Sequence, residues 1–285
     1  MHRKKILNKI LLFLISIPVL LFIYLPILWL FFSSLSNPVE LLSIPPHWIP
    51  QNPTFQNYID IFFPNLAASA VPKTFAASML NSLKVSISVT AVSLVLGGLA
   101  AYALARIHFK GKNTVLLGIL GTRMIPEISL VIPLFLLASS LKQINTPQVL
   151  IVTYLSFALP FAIWMLTTFF QTIPIELEEA ARLDGCNRIQ TLIKVILPVS
   201  APGLITTGLF VFMLAWDEFF YALIFTSTLA AKTVPVAISE FVGRYVVNIT
   251  GMMAGGILAA LPPVLMALIF QRYIVRGLTA GSVKG

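Results

Sequence analysis

Six runs of about twenty apolar residues dominate the hydropathy pattern of the chain, set apart by short polar segments. They cover residues 10–32, 80–105, 114–138, 149–170, 203–226 and 253–271. A helix rising ~1.5 Å per residue needs about 20 such residues to cross the hydrocarbon layer of a bilayer. The pattern therefore predicts an all-α, polytopic membrane protein with about six transmembrane helices. Four of the runs contain prolines (Pro18, Pro26, Pro126, Pro133, Pro160, Pro262 and Pro263). Membrane helices tolerate them because neighbouring helices re-satisfy the freed carbonyls.

Segment 174–203 breaks this pattern, with helix-forming charged residues on both sides of a glycine. Pro174 suits the first position of a helix. Leu177, Ala180, Ala181 and Asp184 share one face by their spacing, with Glu176, Glu178, Glu179 and Arg182 off it. Glu178 and Arg182 form an i,i+4 pair in the favourable order, and the acidic first turns complement the helix dipole. Gly185 is placed to end the helix in a left-handed conformation. A second amphipathic stretch follows, with Ile189, Leu192, Ile193 and Ile196 on one face, until Pro198 and Pro202 break it. The segment reads as a helix–turn–helix outside the bilayer. Spacing alone leaves open whether it is a connector between spans or a docking element.

Composition agrees with a membrane protein: 58% of residues are hydrophobic and 10% charged, against roughly 25% charged in soluble domains. The net charge of +9 would suggest nucleic acid in a soluble chain. Its distribution argues otherwise. With the N-terminus inside, thirteen of the nineteen lysines and arginines fall in inner segments and four (Lys73, Lys142, Lys232 and Arg244) in outer ones. Lys84 and Arg123 lie within spans, Lys84 near an outer end where it can snorkel. This bias predicts cytoplasmic termini, a cytoplasmic 171–202 loop and no nucleic-acid partner. The basic start followed by apolar residues 10–32 resembles a signal peptide, but the run is too long and lacks a small-x-small cleavage site, so a retained first span is expected. The single cysteine, Cys186, forbids an internal disulfide. Residues 33–78, rich in proline, asparagine and aromatics, form an outer loop with one short helix expected near 55–63. Trp48 and Tyr58 suit either the headgroup level or an external partner.

Several motifs carry a family resemblance. Glu179-Ala-Ala181-x-x-Asp184-Gly185, then nine intervening residues and Val195-Ile-Leu-Pro198, resembles the EAA signature of importer-type ABC transporter permeases. Only Val195 departs, where isoleucine is usual. Asn81-Ser-Leu83, Ala101-Tyr-Ala-Leu-Ala-Arg106, Pro133-Leu-Phe135, Leu159-Pro-Phe-Ala-Ile-Trp164, Trp216-Asp-Glu218 and the tail from Phe270 to Gly285 are similar to the maltose-type carbohydrate permease subunit. Asp217 stands where that family more often has asparagine.

The resemblance implies a type I ABC importer permease fold, divided into an anchor helix and external loop (1–78), a permease domain (79–272) and a cytoplasmic tail (273–285). It also implies that segment 174–203 is a coupling helix, with Glu178, Glu179, Ala180, Ala181, Asp184 and Gly185 docking into an ATP-binding subunit. The implied partners are a second homologous permease subunit, two copies of that ATP-binding subunit, an extracytoplasmic solute-binding protein, a sugar substrate and membrane lipid. The implied location is the cytoplasmic membrane.

No catalytic or ATP site is expected in the chain itself. Lys110-Gly-Lys112-Asn-Thr114 lacks the first glycine of a phosphate loop and has Asn113 where Ser or Thr is needed. ATP and Mg are therefore expected on the partner. His2, His47 and His108 are isolated, so no metal site is expected. Gly251 and Gly255 make a GxxxG that suits helix association or chance alike.

Intramembrane charges are functional candidates by default. Arg123 and Glu127 fall one turn apart on a common face, roughly 14 and 20 Å deep at the helical rise, and Asp217 and Glu218 fall roughly 21 and 23 Å deep. The four are expected to interact, either as a static network or around a solute. Asn81, Tyr154, Trp164 and Trp216 add the planar polar groups and aromatic faces that sugars bind. The alternative class is a proton-coupled secondary transporter using Glu127, Asp217 and Glu218. It would need inverted repeats that the sequence does not display.

Overall fold

The computed structural model describes residues 2–45, 47–63, 75–242 and 247–280. Among these residues no strand forms; an isolated antiparallel bridge joins Val242 and Val247. The chain divides into two compact units: Met1–Ala76 with Ala237–Ala260, and Ala77–Val236 with Leu261–Gly285.

In the first unit, α1 (His2–Ser34) keeps its helix through Pro18 and Pro26. Its apolar residues from Ile17 to Leu28 are all exposed, as suits a lipid-facing helix, whereas Ser33 and Ser34 at its end are buried. Two short helices follow, α2 (Pro38–Leu41), capped by Asn37, and α3 (Gln56–Phe62), close to the expected position. Trp48 is exposed and packs edge-on against Trp29. Tyr58 instead bonds Ser34 Oγ at 2.6 Å. The GxxxG glycines serve local packing. A Cβ on Gly251 would strike the Asn248 amide, whose oxygen accepts the Gly251 N–H at 2.8 Å, and one on Gly255 would press on Phe75 and Phe241.

The second unit is built on α4 (Phe75–Arg106), α7 (Pro147–Thr172) and α11 (Ala201–Trp216). α7 is central, with Tyr154, Ala158, Ala162, Leu166 and Phe170 buried along its length. Its start is set by Pro147 behind the Thr146 cap. Small residues let its neighbours approach, as between membrane helices generally. A Cβ on Gly97 would lie 3.2 Å from Ala162 Cβ, and one on Gly208 would lie 3.1 Å from Leu94 Cδ1. Asn81 ties α4 to the 229–232 segment, its amide donating to the carbonyls of Leu229 and Lys232 at 3.0 and 3.1 Å. Asn81→Ala would orphan both bonds. It is expected to cost ~1–3 kcal/mol, seen as a lower thermal midpoint in detergent with an unchanged apparent affinity for solute.

Among the described residues, four helices are long and apolar enough to cross a membrane unbroken: Leu12–Ser34, Phe75–Arg106, Pro147–Thr172 and Ile249–Ile274 within α14 (Ile249–Ala280). Six spans result when two bent pairs are each counted as one. Here the structure corrects the sequence reading twice. The expected helix 114–138 is broken: α5 (Lys112–Gly121) tightens into a 3-10 turn at Thr122–Met124, and α6 (Glu127–Ser140) restarts at 88° to it. The cause is Pro126, which lacks an N–H and drives Ile125 into an extended conformation (φ −72°, ψ 123°). The expected helix 203–226 ends at Trp216, and α12 (Phe220–Phe225) begins afresh. Between them the Glu218 carboxylate accepts the N–H groups of Tyr221 and Ala222 at 2.7 and 3.1 Å, replacing helical carbonyl partners.

Candidate functional site

The amphipathic loop folds as read, in two halves about a left-handed glycine. α8 (Glu176–Leu183) carries Glu176, Glu178 and Glu179 in its first turn, at the positive end of the dipole. Pro174 stands just outside it rather than at its first position, with Ile175 as the N-cap. At the other end Gly185 has φ +86°. Its N–H reaches the Arg182 carbonyl and that of Cys186 the Ala181 carbonyl, both at 3.0 Å, a Schellman closure that only a residue tolerant of positive φ permits. α9 (Arg188–Thr191) opens with a capping box between Asn187 and Gln190. A π-turn at Leu192–Ile196 leads into α10 (Leu197–Val199). Pro198 lacks the N–H that would continue α-helical bonding, and the wider turn before it accommodates the missing bond. The chain then bends by 81° into α11, with Pro198 and Pro202 on either side of the bend.

The faces of the loop differ from the expected ones. Glu178, predicted off the packing stripe, is 1% exposed, with Ala181 buried beside it. Leu177, Ala180 and Asp184 point outward, and Leu183 is 90% exposed. The reason lies in α4. Arg106 Nε pairs with Glu178 Oε1 at 2.5 Å, and the Tyr102 hydroxyl donates to Oε2 at 3.3 Å. A buried guanidinium outweighs the hydrophobic stripe of an eight-residue helix. Removing one partner of such a pair typically costs ~3–5 kcal/mol, because it leaves a buried charge unpaired. Glu178 is thus not presented to a partner as expected, whereas Glu179, Ala180, Asp184 and Gly185 are exposed and Ala181 packs inward. In the second half Leu192 and Ile196 pack with Tyr102, Leu166 and Phe170, while Ile189 and Ile193 are exposed.

Deeper in the same unit lies a cavity of about 590 Å³ lined by Arg123, Glu127, Asp217 and Glu218. The broken helices bring them there: Arg123 sits in the 3-10 turn, Glu127 opens α6, and Asp217 and Glu218 occupy the gap after α11. Arg123 and Glu127 are therefore not one turn apart on a continuous helix. Arg123 pairs with neither acidic residue of that gap; its guanidinium lies 5.5 Å from the centroid of the Phe161 ring. The expected cross-helix ion pair is replaced by a cation–π contact and an open cavity. Phe157, Phe210, Phe219 and Phe220 complete the lining.

An amphipathic loop bent back onto α4 and α7, and a charged, aromatic cavity between broken helices, occur in a chain whose residues 93–280 match one family profile, the binding-protein-dependent transport system inner membrane component. The chain belongs to that family. It is 38% identical over 284 residues to the trehalose/maltose transport system permease protein MalG of Thermococcus litoralis, covering 99% of both chains. It is 41% identical over 263 residues to the trehalose transport system permease protein SugB of Mycobacterium tuberculosis, covering 92% of each. Among solved structures, a bacterial ABC transporter involved in the import of the acidic polysaccharide alginate aligns with a TM-score of 0.76 and 22% identity, over 95% of this chain and 96% of that one. That likeness supports the importer permease fold.

The other residues singled out for the solute path of this permease are not part of that cavity's lining. Asn81 is buried in the backbone clamp described above. Trp216 is buried and stacks on Phe212, with ring centroids 5.6 Å apart. Trp164 is partly exposed beside Phe161. Tyr154 is fully buried in the core next to Glu218, its hydroxyl lacking a well-formed hydrogen bond. Sequence reasoning missed the four phenylalanines and the role of Arg106. Phenylalanine is too common in membrane spans to single any out, but Tyr102 and Arg106, an i,i+4 polar pair at an inner helix end, were a readable signal.

Proposed function

We propose that this permease is the translocation subunit of an ATP-driven carbohydrate importer, working by alternating access in the cytoplasmic membrane. The observation that carries the reading is α8. Its inner face is fixed to α4 through Glu178, and its outer face leaves Leu177, Ala180, Leu183 and Asp184 exposed among the described residues. Such a surface suits the cleft of a separate ATP-binding subunit, which holds ATP and Mg. Two copies of that subunit, a second homologous permease and an external solute-binding protein complete the assembly. The names of the relatives, and a cavity that combines aromatic faces with polar groups, support a sugar or glycoside as solute. Membership of a binding-protein-dependent family also leaves the proton-coupled alternative without support.

The test is uptake in proteoliposomes holding the assembled complex and its binding protein. Uptake is expected to require ATP and to ignore a proton ionophore; the opposite pattern would sink the reading. A thermal-shift panel of sugars on the binding protein identifies the solute. Gly185→Val puts a β-branched residue at φ +86°, a strain of ~1–2 kcal/mol or more in the turn that aims α8. It is expected to cut uptake and stimulated ATP hydrolysis several-fold without impairing membrane insertion.

A further inference from the structure

We propose that Arg106 is a positioning residue that makes α4, the end of α7 and the coupling helix α8 move as one body, a role that rests on the coupling function of the loop. Three elements meet at this one guanidinium. Arg106 is the last residue of α4. Its Nε pairs with Glu178 of α8 at 2.5 Å, and its Nη2 donates to the carbonyl of Ile173, directly after α7, at 2.6 Å. Tyr102, one turn earlier on α4, holds the other Glu178 oxygen at 3.3 Å. The side chains of Arg106 and Glu178 are 8% and 1% exposed, so salt and water screen the pair far less than a surface one. Arg182 also approaches Glu178, at 3.6 Å, but it is half exposed, belongs to α8 itself and links it to nothing else.

Without this contact α8 would keep its packing against the second half of the loop but lose its ion pair with α4, leaving two joints about which it can turn. One is the non-helical stretch Ile173–Ile175, the other the left-handed Gly185. A push on α8 from outside would then turn the helix about those joints. With the guanidinium in place, the same push reaches α4, a 32-residue helix that runs ~48 Å at the helical rise. α4 packs in turn against α7 through Gly97 and Ala162 and against α11 through Leu94 and Gly208. The clamp thus connects the exposed loop with the helices of the core. The outward residues Leu177, Leu183 and Asp184 take no part in it, so docking and transmission are separable.

The pair variant Arg106→Ala/Glu178→Ala leaves no buried charge unpaired. The complex reconstituted with its ATP-binding subunit and binding protein, with trehalose and maltose as probes, is expected to assemble normally and to keep basal ATP hydrolysis. Uptake and binding-protein-stimulated hydrolysis should fall at least tenfold. The exchange variant Arg106→Glu/Glu178→Arg should raise uptake at least threefold over the alanine pair. Wild-type coupling in the alanine pair overturns the proposal, as does loss of the ATP-binding subunit from the purified complex, which would make the contact a fold element only. Uncoupling that the exchange fails to relieve overturns it too. Gly185→Val separates this from the underlying reading: if it leaves hydrolysis and uptake untouched, the coupling role of the loop fails. A response to Gly185→Val with none to the alanine pair defeats the clamp alone.

Discussion

Replacing Leu183 by arginine is expected to abolish uptake and to strip the ATP-binding subunit from the purified complex, while the permease itself stays folded. Leu183 is the most exposed large apolar residue on α8 and closes its last turn. A charged replacement therefore disturbs little within this chain, since surface changes usually stay within about 0.5 kcal/mol. In a docked complex the same position would be buried. A hot-spot residue buried at the centre of an interface carries 2 kcal/mol or more, about 30-fold in affinity, and a buried unpaired guanidinium adds to that. Co-purification and thermal stability in detergent together check the expectation. Normal recovery of the ATP-binding subunit with Leu183→Arg would show that α8 docks by another face, or not at all. Leu177→Arg should act in the same direction but more weakly, because that side chain is already partly covered.

Gly203→Leu is expected to prevent proper folding, and Gly203→Ala to destabilise the protein measurably. Gly203 lies in the first turn of α11, just beyond the bend that ends the coupling loop. A Cβ there would sit 2.5 Å from Cγ of Phe169 and under 3 Å from both Cδ atoms. The Phe169 ring would have to leave its place near its own Cβ, which no tip rotation provides. Overpacking of this kind costs ~1–3 kcal/mol for one added methyl and more for larger groups. Phe169→Leu should relieve part of the Gly203→Ala penalty, giving a coupling energy of ~1 kcal/mol or more in a double-mutant cycle. Strictly additive effects would mean that α7 and α11 do not meet here as closely as the structure has them.

How much could be read from the sequence depended on the range of the interactions involved. The spans were legible because a run of apolar residues needs no partner to declare itself; lipid covers whatever the protein does not. Gly185 was legible for the same reason. A left-handed C-cap is decided within about five residues, and its two closing hydrogen bonds follow from them. The break at Pro126 was legible in principle, yet proline is tolerated inside α1, α6, α7 and α14 and breaks the helix between α5 and α6. Local sequence does not say whether neighbours will satisfy the freed carbonyls. Glu218 shows a second limit, since its carboxylate chooses the backbone N–H groups ahead of it over a helical neighbour.

The sequence by itself determined the class of protein, the number of apolar crossings, the two-helix loop with its glycine pivot, and the motifs by which the family is recognised. These rest on composition, periodicity and contacts within a few residues. Only the tertiary structure decided which face of α8 turns inward, because that depends on a guanidinium delivered from the far end of α4. It also decided that Arg123, Glu127, Asp217 and Glu218 share a cavity with four phenylalanines instead of forming cross-helix ion pairs. Buried charges select their partners by distance in space, and neither helical period nor sequence spacing carries that distance once two spans have broken and bent.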